Sequence, residues 1–175
     1  IGHDAAFRRL KALSVSRAEP SQAARLLAVA AGVALSAGRM QDAFETAARA
    51  LELDPARSDV LALAERTAGD DELNALERIY DGLAGATLGR YGERAVHYRA
   101  PRQFERRRDS ARALRHAISA FEAVPSEGVA YVTMARLAEH AEGSTDVVRA
   151  IERVAWPTRR WSCRSSRRSS LRQRR

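Results

Sequence analysis

Proline and glycine cut this chain into pieces the length of short helices, and that punctuation constrains its fold more than any other feature. Breaks fall at Glu19-Pro20, Gly38, Asp54-Pro55, Gly69, Val124-Pro125 and Gly143-Ser144. Proline removes a backbone donor and pushes the preceding residue out of the helical region; glycine is the usual residue just past a helix end. Between breaks, apolar residues recur at three- and four-residue steps, as Ala6, Leu10 and Leu13 do around Arg8, Arg9 and Lys11. Alanine supplies 35 of the 175 residues, and isoleucine occurs only at positions 1, 79, 118 and 151. That composition favours helix and gives no sign of a buried parallel sheet. The pattern predicts helices near 5–18, 21–37, 41–53, 58–68, 71–84, 93–107, 110–123, 127–141 and 145–155, with a loose junction over Gly82–Gly89. Connections this short force antiparallel neighbours, so the expected fold class is all-α, a row of αα-hairpins.

The breaks also repeat. Pro55 and Pro125 lie 70 positions apart, close to two periods of about 34 residues. The run Gly38-Arg39-Met40-Gln41-Asp42-Ala43-Phe44 through Ala50-Leu51-Glu52-Leu53-Asp54-Pro55 resembles the second half of a tetratricopeptide (TPR) repeat. Ala43 and Ala50 fill its small positions, and Gly38 its turn. A second copy places Ala113 and Ala120 at the small positions and Pro125 at the end, with a degenerate unit, 58–92, between the two. The resemblance implies hairpins at roughly 3–37, 24–55, 58–92, 94–125 and 128–155, stacked as a superhelical solenoid, because no hairpin buries its apolar face alone. A nonrepetitive helical bundle is the rival. Three positions depart from the repeat: Pro101 inside a first helix, Arg108 where glycine usually makes the turn, and Val147 or Val148 in place of a small residue. Pro101 predicts a kink, or a helix that begins there.

In a TPR-like stack the first helix of each hairpin lines a concave face. The resemblance places Arg25, Ala28 and Leu35 on that face, then Tyr98, Arg102, Glu105 and Arg106, then Val132, Arg136, Glu139 and His140. Arg25, Tyr98, Arg102, Arg106, Arg136 and His140 are thus the candidate peptide-binding residues, suited to an acidic protein or peptide segment through guanidinium–carboxylate pairs. The alternative is that they are ordinary solvated positions. The carboxylate-clamp subtype of TPR domains uses groove asparagines; the one asparagine here, Asn74, is misplaced for it, so that specificity is not carried over.

The net charge of +8 is not spread evenly. Residues 1–155 hold 22 basic and 22 acidic residues, while 156–175 hold eight arginines and no acid. That final stretch reads as a disordered basic tail. It offers a nucleic-acid alternative through Arg159, Arg160, Arg164, Arg167 and Arg168, with Trp156 and Trp161 available for stacking. Translation of a shifted reading frame in a GC-rich gene would leave the same break in composition. A GC-rich coding sequence also accounts for 29 arginines against one lysine.

Little points to chemistry. Lys11 precedes Ala12 and Leu13, which excludes a P-loop, and the glycines from Gly82 to Gly92 follow no strand. His3, His97, His116 and His140 show no metal-ligand step, no serine sits in a Gly-x-Ser-x-Gly elbow, and Cys163 is alone. Pairs such as Glu45 with Arg49 read as helix-face ion pairs. No enzyme activity, metal or cofactor is expected. No run approaches the roughly 18 apolar residues of a membrane span. A cytoplasmic location is expected, and Ile1 suggests a piece of a longer, bacterial repeat protein.

Overall fold

The computed structural model describes residues 2–85, 89–141 and 143–155, with side chains for all of these except 89–95. The described residues are all-α. They form α1 (His3–Val15), α2 (Pro20–Ser36), α3 (Met40–Leu53), α4 (Ser58–Thr67), α5 (Leu73–Gly85), α6 (Gly89–Arg106), α7 (Ser110–Ala123), α8 (Gly128–Ala138) and α9 (Ser144–Ala155). No strand occurs among them, and none of the helices is long and apolar enough to cross a membrane.

The breaks fall where the punctuation puts them, with three corrections. Gly82–Gly85 belongs to the last turn of α5 rather than to a loose junction. The following helix begins at Gly89, so α6 neither starts nor stops at Pro101, which lies in its interior. Packing overrides the proline there: Pro101 is buried beside fully buried Ala100 and Phe104, where α6 lies against α7. α8 ends at Ala138, so Glu139 and His140 lie beyond the helix expected to carry them.

Local structure repeats at a spacing of 70 residues. α3 and α7 are each 14 residues long and start 70 positions apart. Both are entered from a turn with a left-handed residue, Gly38 at φ 75° and Arg108 at φ 59°. The N–H groups of Arg39 and Gly38 donate to the oxygens of Ala34 and Leu35; those of Asp109 and Arg108 donate to the oxygens of Phe104 and Glu105. This is the Schellman arrangement, which satisfies the orphan carbonyls of a helix end. Glycine adopts it freely, whereas Arg108 does so against a Cβ clash worth about 1–2 kcal/mol. The two helices also end alike, at Asp54 (φ −143°, ψ 87°) and Val124 (φ −138°, ψ 74°), each preceding proline.

The core follows the small residues. Ala43, Ala47 and Ala50 on α3, and Ala113 and Ala117 on α7, are essentially inaccessible. Their missing bulk lets neighbouring backbones approach, while Phe44, Leu51, Leu114 and Phe121 fill the space between helices. One continuous apolar cluster runs from Leu27 to Ala150, and a smaller one gathers Phe7, Ala30, Ala34 and Ala43. Gly143 has a packing reason: a Cβ there would collide with the Leu114 side chain of α7.

Successive helices pack closely from α1 to α4 and from α5 to α9. α2 also touches α4, and α7 touches α9. Between α4 and α5, in the unit expected to be degenerate, the backbones make few close approaches among the described residues, although side chains of both helices share the core.

Candidate functional site

Arginines reach from helix to helix at a characteristic spacing. Asp4 pairs with Arg39, Glu65 with Arg99, Glu77 with Arg112 and Arg115, Glu105 with Arg136, and Glu122 with Arg153. These partners are 31 to 38 positions apart in sequence. One series ties α4 to α6 and α6 to α8. The other ties α1 to the start of α3, α5 to α7 and α7 to α9. Arg39 also lies over the buried Phe7 ring at 4.5 Å, which holds α1 down. Exposed pairs of this kind contribute only about 0.2–1 kcal/mol each, so they set register more than stability.

The pair at Glu65 is different because it is buried. Its side chain is 6% exposed, and its carboxylate accepts from Tyr80 Oη at 2.6 Å, from Arg99 at 3.0 and 2.5 Å, and from Gln103 at 3.3 Å. Arg107 adds bonds to the carbonyls of Glu65 and Ala68 at 3.2 and 2.5 Å. Burial pushes the Tyr80 phenol well above its usual range, and the hydrogen bond to Glu65 and its charge add to the effect, so Tyr80 stays a donor. This knot joins α4, α5 and α6 where the backbones of α4 and α5 make few close approaches. Its residues belong to the degenerate unit and its successor, and only their one-period spacing hints at the connection.

Beside the knot, Tyr80, Phe104 and His116 form an aromatic cluster. The His116 ring stacks on Phe104 at 5.3 Å and meets Tyr80 edge-on at 5.8 Å. Burial lowers the His116 pKa, and Nε2 has no hydrogen-bond partner, so the imidazole is a neutral core ring. Thr46, one 70-residue spacing earlier, has an equally unpartnered buried hydroxyl.

The structure brings most of the expected groove residues together on α6 and α8. Tyr98, Arg102 and Arg106 lie one turn apart along α6. The Tyr98 hydroxyl donates to the Glu127 carboxylate, just before α8. Arg102 and Arg106 are exposed and make no ion pair among the described residues. Arg102 borders a small hollow of about 20 Å³ with Tyr98, Pro101, Val129 and Thr133. Val129 and Val132 lie exposed on the α8 side.

Other expectations are met less directly. Arg136 is already engaged, its guanidinium forked onto Glu105. That hydrogen bond holds the Glu105 carboxyl below the usual range against the opposing effect of burial. His140 is exposed past the end of α8, with Nδ1 3.1 Å from the Arg136 carbonyl oxygen. Arg25 is exposed on α2, apart from the α6–α8 group. Arg159, Arg160, Arg164, Arg167 and Arg168 lie outside the described residues. The expected Glu45–Arg49 pair is not formed: Arg49 turns to Glu52, and Glu45 accepts from Gln41. Among the described residues no group of three or more His, Cys, Asp or Glu is arranged to hold a metal. Compared with known proteins, the chain matches no family model, no curated protein and no solved structure.

Proposed function

We propose that the chain is a noncatalytic interaction scaffold, a TPR-like stack of helical hairpins that binds an acidic peptide or protein segment along α6 and α8. The stack is supported by the 70-residue recurrence of turn, helix and proline stop, and by ion pairs spaced near one repeat length. The single observation that carries the binding site is the state of its arginines. Arg39, Arg99, Arg112, Arg115, Arg136 and Arg153 each reach a carboxylate on another helix, whereas Arg102 and Arg106 stand exposed and unpaired among the described residues, beside Tyr98, Val129 and Val132. Two guanidinium forks next to apolar surface suit carboxylates flanking an apolar side chain. Arg136, already neutralised by Glu105, serves as a brace between the helices rather than as a first contact.

The test is titration of a fluorescein-labelled peptide alternating Asp or Glu with Leu into the full chain at physiological salt. Arg102→Ala with Arg106→Ala is expected to weaken binding at least tenfold. Arg9→Ala with Arg17→Ala, exposed arginines near α1, is the control. Equal losses in the two double variants would refute the groove.

One observation favours a second reading, nucleic-acid binding through Arg159, Arg160, Arg164, Arg167 and Arg168: the entire charge excess lies after Ala155. Retardation of RNA or DNA by the full chain, abolished by Arg→Gln changes at those five positions, would support it.

A further inference from the structure

A second cavity lies away from the groove, in the other series of helices. It is an open cleft of about 830 Å³ between α3 and α5. Its floor is buried Phe44, Leu51 and Leu83, and half-buried Ala48, Ala75 and Ile79 form its sides. Along α3 the lining runs from Phe44 to Glu52, with Pro55 just past its end, and along α5 from Ala75 to Leu83. At 1.5 Å per residue those faces extend roughly 12 Å, so the cleft is a trough bounded by two helices.

Within this series the cleft is a missing step. Asp4–Arg39 ties α1 to α3, Glu77 ties α5 to α7 through Arg112 and Arg115, and Glu122–Arg153 ties α7 to α9. Between α3 and α5 no such pair is found among the described residues, and the two helices are not closely packed. Two charges nevertheless stand on the opposite rims at the same spacing. Glu45 on α3 and Arg78 on α5 are 33 positions apart, and neither makes an ion pair among the described residues. The Glu45 carboxylate takes only the amide of Gln41, and Arg78 only the Asn74 carbonyl.

We infer that the α3–α5 cleft is a docking trough for an amphipathic helix of a partner protein. That helix carries apolar residues at i, i+3, i+4 and i+7, a cation on the flank facing Glu45 and an anion on the flank facing Arg78. An apolar trough between two helices is the receptor form of helix-in-groove recognition. The low walls at Ala48, Ala75 and Gly82 leave room for a third backbone, and a Cβ at Gly82 meets nothing within 4 Å. On the α3 rim Arg49 and Glu52 neutralise each other and leave Glu45, opposite Arg78 on α5, so the rims differ in sign and select the flanks: a helix with one sign on both sides faces like charge at one rim. This site is separate from the α6–α8 groove and does not rest on it.

The test uses the full chain and three labelled 15-residue helical peptides that share one leucine face. Their flanks are Lys on one side and Glu on the other, Lys on both, or Glu on both; binding is read by fluorescence anisotropy. The mixed peptide is expected to bind at least tenfold more tightly than the other two. Gly82→Phe, which fills open space, is expected to weaken it at least tenfold with the helical signal and thermal midpoint retained. Glu45→Lys, which makes both rims basic, is expected to shift preference to the all-Glu peptide. Equal binding of the three peptides would overturn the proposal, as would indifference to Gly82→Phe. It would also fall if Arg102→Ala with Arg106→Ala removed the peptide instead, or if no peptide bound and Gly82→Phe abolished a concentration-dependent dimer. The last outcome would assign the cleft to a second copy.

Discussion

The Glu65 knot allows a quantitative test of how the irregular middle of the chain is held together. Replacing Glu65 by Ala takes the acceptor from Tyr80, whose side chain is fully buried, and from Arg99 and Gln103. A buried hydroxyl left without a partner costs about 1–3 kcal/mol. Breaking a buried ion pair costs about 3–5 kcal/mol, discounted here because the Arg99 side chain is 32% exposed and water replaces part of its lost partner. The expected loss for Glu65→Ala is therefore about 3–5 kcal/mol in all, a large share of a typical folding free energy. Glu65→Gln keeps the shape and one acceptor oxygen, and is expected to lose about 2 kcal/mol as its charge-assisted bonds weaken. Tyr80→Phe leaves the carboxylate with Arg99 and Gln103, and is expected to cost about 1 kcal/mol. Equilibrium urea unfolding measures all three, with an unchanged slope as the check that the denatured state has not altered. The order Ala, Gln, Phe is the essential result. A Glu65→Ala variant within about 1 kcal/mol of the parent would show that the knot is incidental to stability.

Three further outcomes follow from named residues. Arg108→Gly removes a Cβ from a left-handed position, a relief of about 1–2 kcal/mol partly offset by glycine's extra unfolded-state entropy, so a net gain of about 0.5–1 kcal/mol is expected. Its thermal midpoint should rise by about 2–4 °C, and a fall would refute the strain argument. Gly143→Ala forces a Cβ against Leu114 and is expected to lose about 1–3 kcal/mol in the same urea assay; a neutral result would mean that Leu114 moves aside freely. His116 governs a pH window: burial lowers its folded pKa, so below the ordinary imidazole value of about 6.5 the unfolded chain binds a proton that the folded chain refuses. Stability should rise with pH below that value, by at most about 1.4 kcal/mol per pH unit, and level off above it. His116→Phe should flatten the slope between about pH 5 and 6.5; an unchanged slope there would transfer the effect to other groups.

Helix positions were legible because proline and glycine act locally. Pro55, Pro125 and Gly38 exclude helix continuation whatever surrounds them, and the turn at Arg108 was legible by its distance from Gly38. Pro101 does not begin a helix because α6 runs through it, packed against α7, and that packing is not contained in a local pattern. The charged side chains were harder for a physical reason. Arg49 has Glu45 four residues before it and Glu52 three after, and sequence spacing does not choose between them. The Glu65 knot needs partners from three helices, and the α3–α5 cleft arises from packing that does not form. Neither is a property of any single segment.

The repeat spacing nonetheless sorts the arginines once it is applied to charge instead of shape. Arg99, Arg112 and Arg153 each have a glutamate about one repeat earlier, and the structure joins them. Arg102 and Arg106 have Arg136 and His140 at 34 positions later, so the register that neutralises other arginines here stacks one basic position on another. Earlier by the same interval, Arg106 meets Glu72, but that carboxylate already accepts the Gly69 N–H at 2.9 Å. Arg136 escapes by turning to Glu105, three positions off that register, and Arg102 and Arg106 are left with no carboxylate among the described residues. An exposed arginine without a partner costs little in water, so folding alone does not require the column to be neutralised. On the proposed function, a carboxylate-bearing guest would supply the charge that this spacing leaves out. The same reasoning bears on Glu45 and Arg78, which stand 33 positions apart across the cleft without an ion pair among the described residues and would, on the inference above, meet the flanks of a docked helix.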